Sequence, residues 1–288
     1  MNKFETLVAL FLISSSLTAF SAQVDTVNLY SQANKKIIKA AVVMPDSYTI
    51  KKSKQRFTVL YLLHGFSDPF NAWLKNTVPD KNMLKDLVDK YNLIVVLPDG
   101  GYAAWYLDSP LEKQSQYETY IIKELIPYID KSYRTKAFRK GRFITGLSMG
   151  GHGSLYLAGR HPELFLAAGS ISGALDLSRD LDNAAIQQWF SKILGPASEN
   201  EDRYRDNSVF YMTDKLKASG LELTIDVGTG DFLFNVNKDF HQKLLSEGIA
   251  HDYAERPGVH DWKYFSNSLE YHLLFFLKVQ RSANDIKP

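Results

Sequence analysis

The chain has 288 residues, of which 45% are hydrophobic and 23% are charged, and its formal net charge is +2. This length and composition fit one globular domain with a substantial buried core. The near-neutral charge, without a basic cluster interleaved with aromatic residues, argues against nucleic acid as a partner. The sequence contains no cysteine, so disulfides, a thiol nucleophile and a lipid-bearing cysteine are excluded.

The first 22 residues have the pattern of a secretory signal peptide. Lys3 supplies a short positive region, which Glu5 weakens, and an apolar run begins at Leu7. The run has about a dozen residues, fewer than a bilayer-spanning helix needs. Small residues before Gln23 offer cleavage positions. We therefore expect a periplasmic or secreted mature chain without a membrane span, with an uncleaved anchor as the alternative.

Short β-rich runs alternate with longer helical runs along the rest of the chain, a pattern typical of an α/β fold with a mostly parallel sheet flanked by helices. Residues 23–288 are expected to form a single domain. Residues 172–220 interrupt the alternation and predict a lid-like insertion, or else a merely decorative one. The predicted strands are 37–44, 57–63, 93–97, 142–145, 165–171, 221–227 and 253–255. The predicted helices are 80–90, 117–129, 236–246 and 264–278, together with a helix that follows residue 148 and ends near residue 160.

A pentapeptide between a predicted strand and a predicted helix carries the strongest functional signal. Residues 146–150, Gly-Leu-Ser-Met-Gly, match the nucleophile elbow G-x-S-x-G of α/β-hydrolases. The serine of such a turn has an unfavourable backbone conformation, and the glycines let strand and helix pack closely. The pattern predicts that Ser148 is a nucleophile and that the Met149 N–H, at a helix N-terminus, binds an oxyanion.

A serine nucleophile needs a base, and in this fold the acid and then the histidine follow the serine along the chain. His260 lies in a Gly/Pro-rich loop between the last predicted strand and the last helix, where an imidazole can reach over the edge of the sheet. It is therefore the predicted base. The other histidines lie near the elbow, within helices or at the start of a strand: His64, His152, His161, His241, His251 and His272.

The acid is predicted in the same way. Asp231 lies in a glycine-punctuated loop just past the strand that ends at Val227, and catalytic groups of open α/β sheets gather at such carboxyl ends. We expect its carboxylate to accept the Nδ1–H of His260. The alternative is that Asp231 caps the next helix and that Asp226 or Glu255 is the acid.

A second oxyanion donor is expected from the loop after the strand that ends at Leu63. The N–H of Phe66 is the predicted donor, and His64 is expected to orient this loop. No HExxH motif or clustered His/Cys pattern points to a metal, and no cofactor is expected.

Five ordered motifs resemble those of the Putative esterase (esterase D-like) family of α/β-hydrolases. They are Leu62–Phe66, Trp105–Pro110, Gly146–Gly153, Gly228–Leu233 and His260–Trp262. The resemblance covers about residues 35–278, and the family includes S-formylglutathione hydrolases, mycolyltransferases, and tributyrin, feruloyl and acetyl-xylan esterases.

The resemblance implies a triad of Ser148, Asp231 and His260, with Phe66 and Met149 as oxyanion donors. It also places three residues near the cleft, where they bind substrate or pack the structure: Trp105, Tyr106 and Asp108.

Together these patterns predict a secreted serine carboxylesterase that acts on a small-molecule or oligosaccharide ester, with a short-chain or carbohydrate-linked acyl group such as acetyl or feruloyl. Export argues against S-formylglutathione, a cytosolic thioester. An S-formylglutathione-type thioesterase and an acyltransferase remain alternatives, as does a non-catalytic carbohydrate-binding descendant of the fold.

Overall fold

The computed structural model describes residues 22–49, 54–179 and 184–285. The predicted signal peptide, residues 1–22, lies outside these ranges except for its last residue. Within them, no helix combines the length and the apolar character that crossing a membrane requires.

Eight strands of the described ranges pair into one sheet. They are β1 (Gln23–Ser31), β2 (Lys36–Met44), β3 (Val59–Leu63), β4 (Ile94–Pro98), β5 (Arg142–Gly146), β6 (Ala167–Ile171), β7 (Glu222–Gly228) and β8 (Asp252–Arg256). Their order is β1-β2-β4-β3-β5-β6-β7-β8. The six strands from β3 to β8 are parallel, and β2 is antiparallel to both β1 and β4. The prediction of a mostly parallel central sheet is confirmed.

Helices cover both faces of the sheet. Every residue of β3, β4, β5 and β6 is buried, as expected for central parallel strands. Successive side chains of a strand point to opposite faces, and the core divides accordingly. Tyr61 belongs to one hydrophobic cluster, whereas Leu60 and Leu62 belong to the other.

The helices of the described ranges are α1 (Ala72–Lys75), α2 (Met83–Tyr91), α3 (Tyr117–Thr119), α4 (Ile126–Ser132), α5 (Met149–Arg160), α6 (Ala184–Leu194), α7 (Glu201–Asp206), α8 (Thr213–Ser219), α9 (Phe234–Ser246) and α10 (Trp262–Asp285). Helices lie close to all five predicted positions, whereas α1 and the helices of the predicted insertion, α6, α7 and α8, are additional. A π-helical segment, Tyr120–Leu125, joins α3 to α4, so the predicted helix 117–129 is one helix with a wider turn inside it.

Strand β1 was not predicted from the sequence. Most of its residues are exposed, and its composition lacks the apolar run that reveals the central strands. It exists because it pairs with β2 from Gln23 to Ser31, the full length of the strand. The formation of this edge strand therefore depends on its pairing with β2, which cannot be predicted from the residues of β1 alone.

The segment predicted as an insertion, 172–220, carries α6, α7 and α8 between β6 and β7. Phe190 of α6 stacks on Trp105 with ring centroids 4.5 Å apart, and Trp189 contacts Tyr102. Both partners lie in the loop that follows β4. The insertion is thus packed at the carboxyl edge of the sheet, and its role as a lid stays a prediction.

Candidate active site

Ser148 stands on the turn between β5 and α5 in a backbone conformation that side chains rarely adopt. Its φ is +54° and its ψ is −117°, a conformation that costs about 1–3 kcal/mol. The Ser148 N–H donates to the Ile171 carbonyl at 2.9 Å, and the Ser148 carbonyl accepts the His152 N–H at 3.0 Å. Strand β6 and helix α5 therefore hold the strained turn, as the elbow motif predicts.

The elbow glycines are required by close packing. A Cβ added to Gly146 would lie 2.6 Å from the carbonyl oxygen of Gly150, and one added to Gly150 would lie 2.6 Å from that of His64. Neither oxygen belongs to a flexible side chain, so any larger residue would push the elbow, the helix or the β3 loop apart. The pentapeptide pattern thus has a direct steric cause.

Asp231 and His260 meet at the carboxyl edge of the sheet. His260 Nδ1 lies 2.8 Å from Asp231 Oδ2. The Asp231 side chain is fully buried, whereas that of His260 is 19% exposed. The other carboxylate oxygen of Asp231 accepts the N–H of Leu233 at 2.8 Å. Asp231 therefore both stabilises the chain leading into α9 and orients the imidazole, because each function uses a different oxygen.

The two alternative acids have other partners. Asp226 is buried within β7, forms an ion pair with Arg256 and lies 3.5 Å from the Nε2 of His272. Glu255 is exposed and accepts the hydroxyl of Tyr253 at 3.0 Å. Of the three candidate acids, Asp231 is the one that the structure brings to His260.

The two predicted oxyanion donors belong to segments that adjoin the serine. Among the described residues, no acceptor takes a hydrogen bond from the N–H of Phe66 or of Met149. A Cβ added to Gly65 would lie 3.7 Å from the Cβ of Ser148, so the loop after β3 passes directly beside the nucleophile. Two unoccupied backbone N–H groups near a serine are the kind of donors that an oxyanion requires.

His64 and Tyr106 hold this loop in place. The Gly100 N–H donates to His64 Nε2 at 2.9 Å, so Nδ1 carries the proton and donates to the Gly65 carbonyl at 2.8 Å. Burial lowers the pKa of His64, which keeps the imidazole neutral. The Tyr106 hydroxyl donates to the His64 carbonyl and accepts its N–H, both at 3.0 Å. His64 therefore orients the loop, as predicted.

Trp105, Tyr106 and Asp108, which were expected either to bind substrate or to pack the structure, all have partners within the protein. Trp105 and Tyr106 have φ values of +57° and +61° and are buried. The Asp108 carboxylate accepts the N–H and hydroxyl of Thr119 at 2.9 and 2.5 Å. These contacts support the packing alternative, and substrate contact by these residues stays a prediction.

Two aromatic side chains, Phe232 and Tyr102, lie close to the candidate site and were not predicted from the sequence. Phe232 is 74% exposed, and its ring centroid lies 4.5 Å from that of His260. Tyr102 is exposed and contacts both Phe66 and Trp189, with centroids 5.3 and 5.6 Å apart. Phe232 directly follows the predicted acid, and this position is the signal that was available in the sequence.

A further carboxylate lies close to the nucleophile. Asp68 Oδ2 accepts the N–H of Gly65 at 3.3 Å. Burial raises the pKa of Asp68, although the nearby His64 and His260 oppose the rise. The hydrogen bond from the Gly65 N–H to Asp68 restrains the loop that carries the Phe66 N–H.

The parallel sheet explains why these groups meet. Ser148 follows β5, Asp231 follows β7 and His260 follows β8, so all three lie at the same edge, as does the Phe66 loop after β3. This edge combines a strained serine, a carboxylate-bound imidazole and unoccupied N–H groups, the components of acyl transfer through serine. Across the described ranges, no three His, Asp or Glu side chains converge as metal ligands would.

Comparisons with known proteins agree with this chemistry. The family model described as "Putative esterase" matches residues 31–276. An acetyl esterase from Caldicellulosiruptor saccharolyticus is 28% identical over 262 residues, which cover 85% of this chain and 96% of that protein. The diacylglycerol acyltransferase/mycolyltransferase Ag85B of Mycolicibacterium smegmatis is 27% identical over 246 residues, covering 73% and 74% of the two chains.

A solved ferulic acid esterase superimposes with a TM-score of 0.78 at 28% identity, covering 91% of this chain and 99% of that one. The topology, the elbow and these similarities agree on one assignment. The chain belongs to the Putative esterase family of α/β-hydrolases and is a carboxylic ester hydrolase.

Proposed function

We propose that this esterase is a secreted enzyme that hydrolyses short-chain or carbohydrate-linked acyl esters, acetyl and feruloyl esters among them, through a Ser148–His260–Asp231 triad. The observation that carries the proposal is the 2.8 Å hydrogen bond between Asp231 Oδ2 and His260 Nδ1, at the edge of the sheet that also carries the strained Ser148. The acetyl esterase and the ferulic acid esterase among its relatives support these two acyl classes.

The reaction follows from which atoms are already occupied. Asp231 holds the proton on His260 Nδ1, so Nε2 is left to accept the hydroxyl proton of Ser148. The serine oxygen attacks the ester carbonyl, and the N–H groups of Phe66 and Met149 receive the developing oxyanion. His260 then returns the proton to the leaving alcohol. Water repeats the sequence on the acyl-enzyme and releases the acid.

The decisive experiment compares the turnover of p-nitrophenyl acetate by the wild-type enzyme and by Ser148→Ala. We expect kcat to fall by at least about 10⁴-fold, since the nucleophile is lost. Ser246→Ala, which changes an exposed serine at the end of α9, is the matched control and should retain wild-type turnover. Equal rates for wild type and Ser148→Ala would refute the triad.

Acyl transfer is the second candidate, and the similarity to a mycolyltransferase favours it. In transfer, a sugar hydroxyl takes the place of water at the acyl-enzyme. Acetylated and feruloylated oligosaccharides, incubated with and without excess free sugar, distinguish the two. Hydrolysis releases free acid in both mixtures, whereas transfer produces a new sugar ester at the expense of the acid.

Export is supported by the pattern of residues 1–22. The chain expressed at full length in a Gram-negative host should be recovered from the periplasm or medium, and its N-terminal sequence should begin near Gln23. Recovery of the intact N-terminus in the cytosol would contradict export.

A further inference from the structure

We propose that the signal peptide is removed between Ser21 and Ala22, and that the α-ammonium group released on Ala22 forms an ion pair with Asp89. The inference rests on export, which is part of the proposed function. It goes further by assigning one peptide bond as the cleavage site and by giving the new N-terminus a partner within the folded enzyme.

The sequence before Gln23 contains two bonds that end in a small residue. A signal peptide is cleaved after an A-x-A-like pattern, in which the first and third side chains are small. A cut after Ser21 places Ala19 and Ser21 at these two positions. A cut after Ala22 would instead place the large Phe20 at the first position. The pattern therefore favours the bond between Ser21 and Ala22.

Ala22 belongs to the core of the folded domain. It is 5% exposed and lies in the hydrophobic cluster that also contains Val43 of β2 and Val88 of α2. Gln23, which begins β1, is exposed. A cut after Ala22 would remove a buried apolar residue from this cluster, whereas a cut after Ser21 keeps it in the mature chain.

The backbone nitrogen of Ala22 already faces a carboxylate. Its N–H donates to Asp89 Oδ2 at 2.9 Å, while the N–H of Asp46 donates to Asp89 Oδ1 at 2.8 Å. Within the described ranges, no Lys, Arg or His side chain forms an ion pair with Asp89. Cleavage before Ala22 turns its amide nitrogen into an ammonium group, so this hydrogen bond becomes charge-assisted.

The surroundings of Asp89 favour a positive charge at this position. Partial burial and the charge of Asp89 raise the pKa of Asp46, so a second carboxylate lies close by. Asp89 also lies in the last turn of α2, where the helix dipole favours cations. The adjacent Lys90 is paired with Glu270 at 2.5 Å instead.

The uncleaved precursor has a neutral amide at this position, so it cannot form the ion pair. Processing therefore adds a contact between the start of β1 and the end of α2. Strand β1 is an edge strand with mostly exposed residues, and this contact fastens its first end to the domain.

The cleavage site is tested with the full-length chain in a Gram-negative host. Intact mass and N-terminal sequencing of the exported wild-type enzyme should show a chain that begins at Ala22. Ser21→Leu should abolish cleavage at this bond, because a large side chain then precedes it. Phe20→Leu is the matched control and should be processed normally. Both residues leave with the signal peptide, so neither substitution changes the mature enzyme.

The ion pair is tested by thermal unfolding of two forms. One is the processed enzyme, and the other carries Gly-Ser before Ala22, which leaves an amide at that nitrogen. Asp89→Asn should lower the midpoint of the processed form by about 2–4 °C more than that of the extended form. Asp86→Asn, at an exposed position on the same helix, is the control and should change both forms equally.

The possible outcomes separate these claims. An exported chain that begins at Gln23, or normal processing of Ser21→Leu at its original bond, would overturn the cleavage site. Equal effects of Asp89→Asn in the two forms would overturn the ion pair. An intact N-terminus recovered in the cytosol would instead refute export. The turnover of p-nitrophenyl acetate tests the esterase activity independently of all three.

Discussion

Strand β7 and the loop after it carry two aspartates, each beside a histidine, in very different surroundings. Asp226 lies inside the strand, paired with Arg256 and 3.5 Å from His272, and His272 is 1% exposed. Asp231 lies beyond the strand end, 2.8 Å from His260, which is 19% exposed. Both carboxylates are buried. They differ in whether the histidine has a free, accessible nitrogen.

This difference shows that an aspartate–histidine contact does not identify a catalytic pair. His272 also contacts Thr145, with its Nδ1 2.8 Å from the threonine hydroxyl, so protein groups adjoin both of its ring nitrogens. Together, Asp226, Arg256 and His272 join β7, β8 and α10. His260, on its loop, has Nε2 directed away from Asp231. The position beyond the strand end therefore distinguishes the proposed catalytic pair from the structural one.

Replacing each histidine by alanine is the strongest test of this comparison. His260→Ala should lower kcat for p-nitrophenyl acetate by about 10⁴- to 10⁶-fold with little loss of stability, because the base is lost from a partly exposed loop. His272→Ala should keep most of kcat while lowering the free energy of unfolding by about 1–3 kcal/mol, because buried partners lose a hydrogen bond. Steady-state kinetics and urea denaturation measure both. If His260→Ala lowered stability but kept kcat, and His272→Ala lowered kcat but kept stability, then His272 rather than His260 would be the catalytic base.

Amide substitutions of Asp231 and Asp226 should likewise separate an effect on turnover from an effect on stability. Asp231→Asn should lower kcat by about 10⁴-fold, since an amide can present its NH₂ group to His260 and favour the wrong tautomer. Its Oδ1 can still accept the Leu233 N–H, so the fold should persist. A kcat within tenfold of wild type would remove Asp231 from the mechanism.

Asp226→Asn should act on stability instead. It leaves the Arg256 guanidinium without its buried carboxylate, and we expect the free energy of unfolding to fall by about 3 kcal/mol. The kcat of the folded fraction should stay within a few-fold of wild type. Urea denaturation followed by circular dichroism measures the first quantity. An unchanged unfolding midpoint would show that this ion pair contributes nothing to the sheet.

A third histidine, His152, is buried, and we expect it to make the stability of the fold depend on pH. Burial lowers the pKa of His152 to about 4, whereas an unfolded histidine has a pKa near 6.5. The unfolded chain therefore binds a proton first as pH falls. The stabilising contribution of the neutral imidazole is complete above pH 6.5 and is lost towards pH 4, by about 1.4 kcal/mol per pH unit.

Urea denaturation at pH 7 and pH 5 should accordingly show a smaller loss of stability in His152→Gln than in wild type, since glutamine does not titrate in this range. Identical losses in the two proteins would mean that His152 is as accessible to protons in the folded state as in the unfolded one.

Much of the fold was predictable because it is specified by patterns of residues that are close together in the sequence. The buried runs of β3, β4 and β5 are continuous in sequence, and the elbow glycines are required by a local turn. The order of elements then placed Asp231 and His260 at the carboxyl edge, because parallel strands end together. Strand β1 was missed since its polar residues become a strand only by pairing with β2.

The sequence by itself determined the nucleophile elbow, the α/β alternation and a short set of candidate acids and bases. Tertiary structure decided between Asp231, the predicted acid, and its alternatives, because it brings Asp231 to His260 and pairs Asp226 with Arg256 and His272. It also turned Trp105 inward and left Phe232 exposed beside His260. The direction of a side chain depends on neighbours that are distant in sequence, and local patterns carry no record of those neighbours.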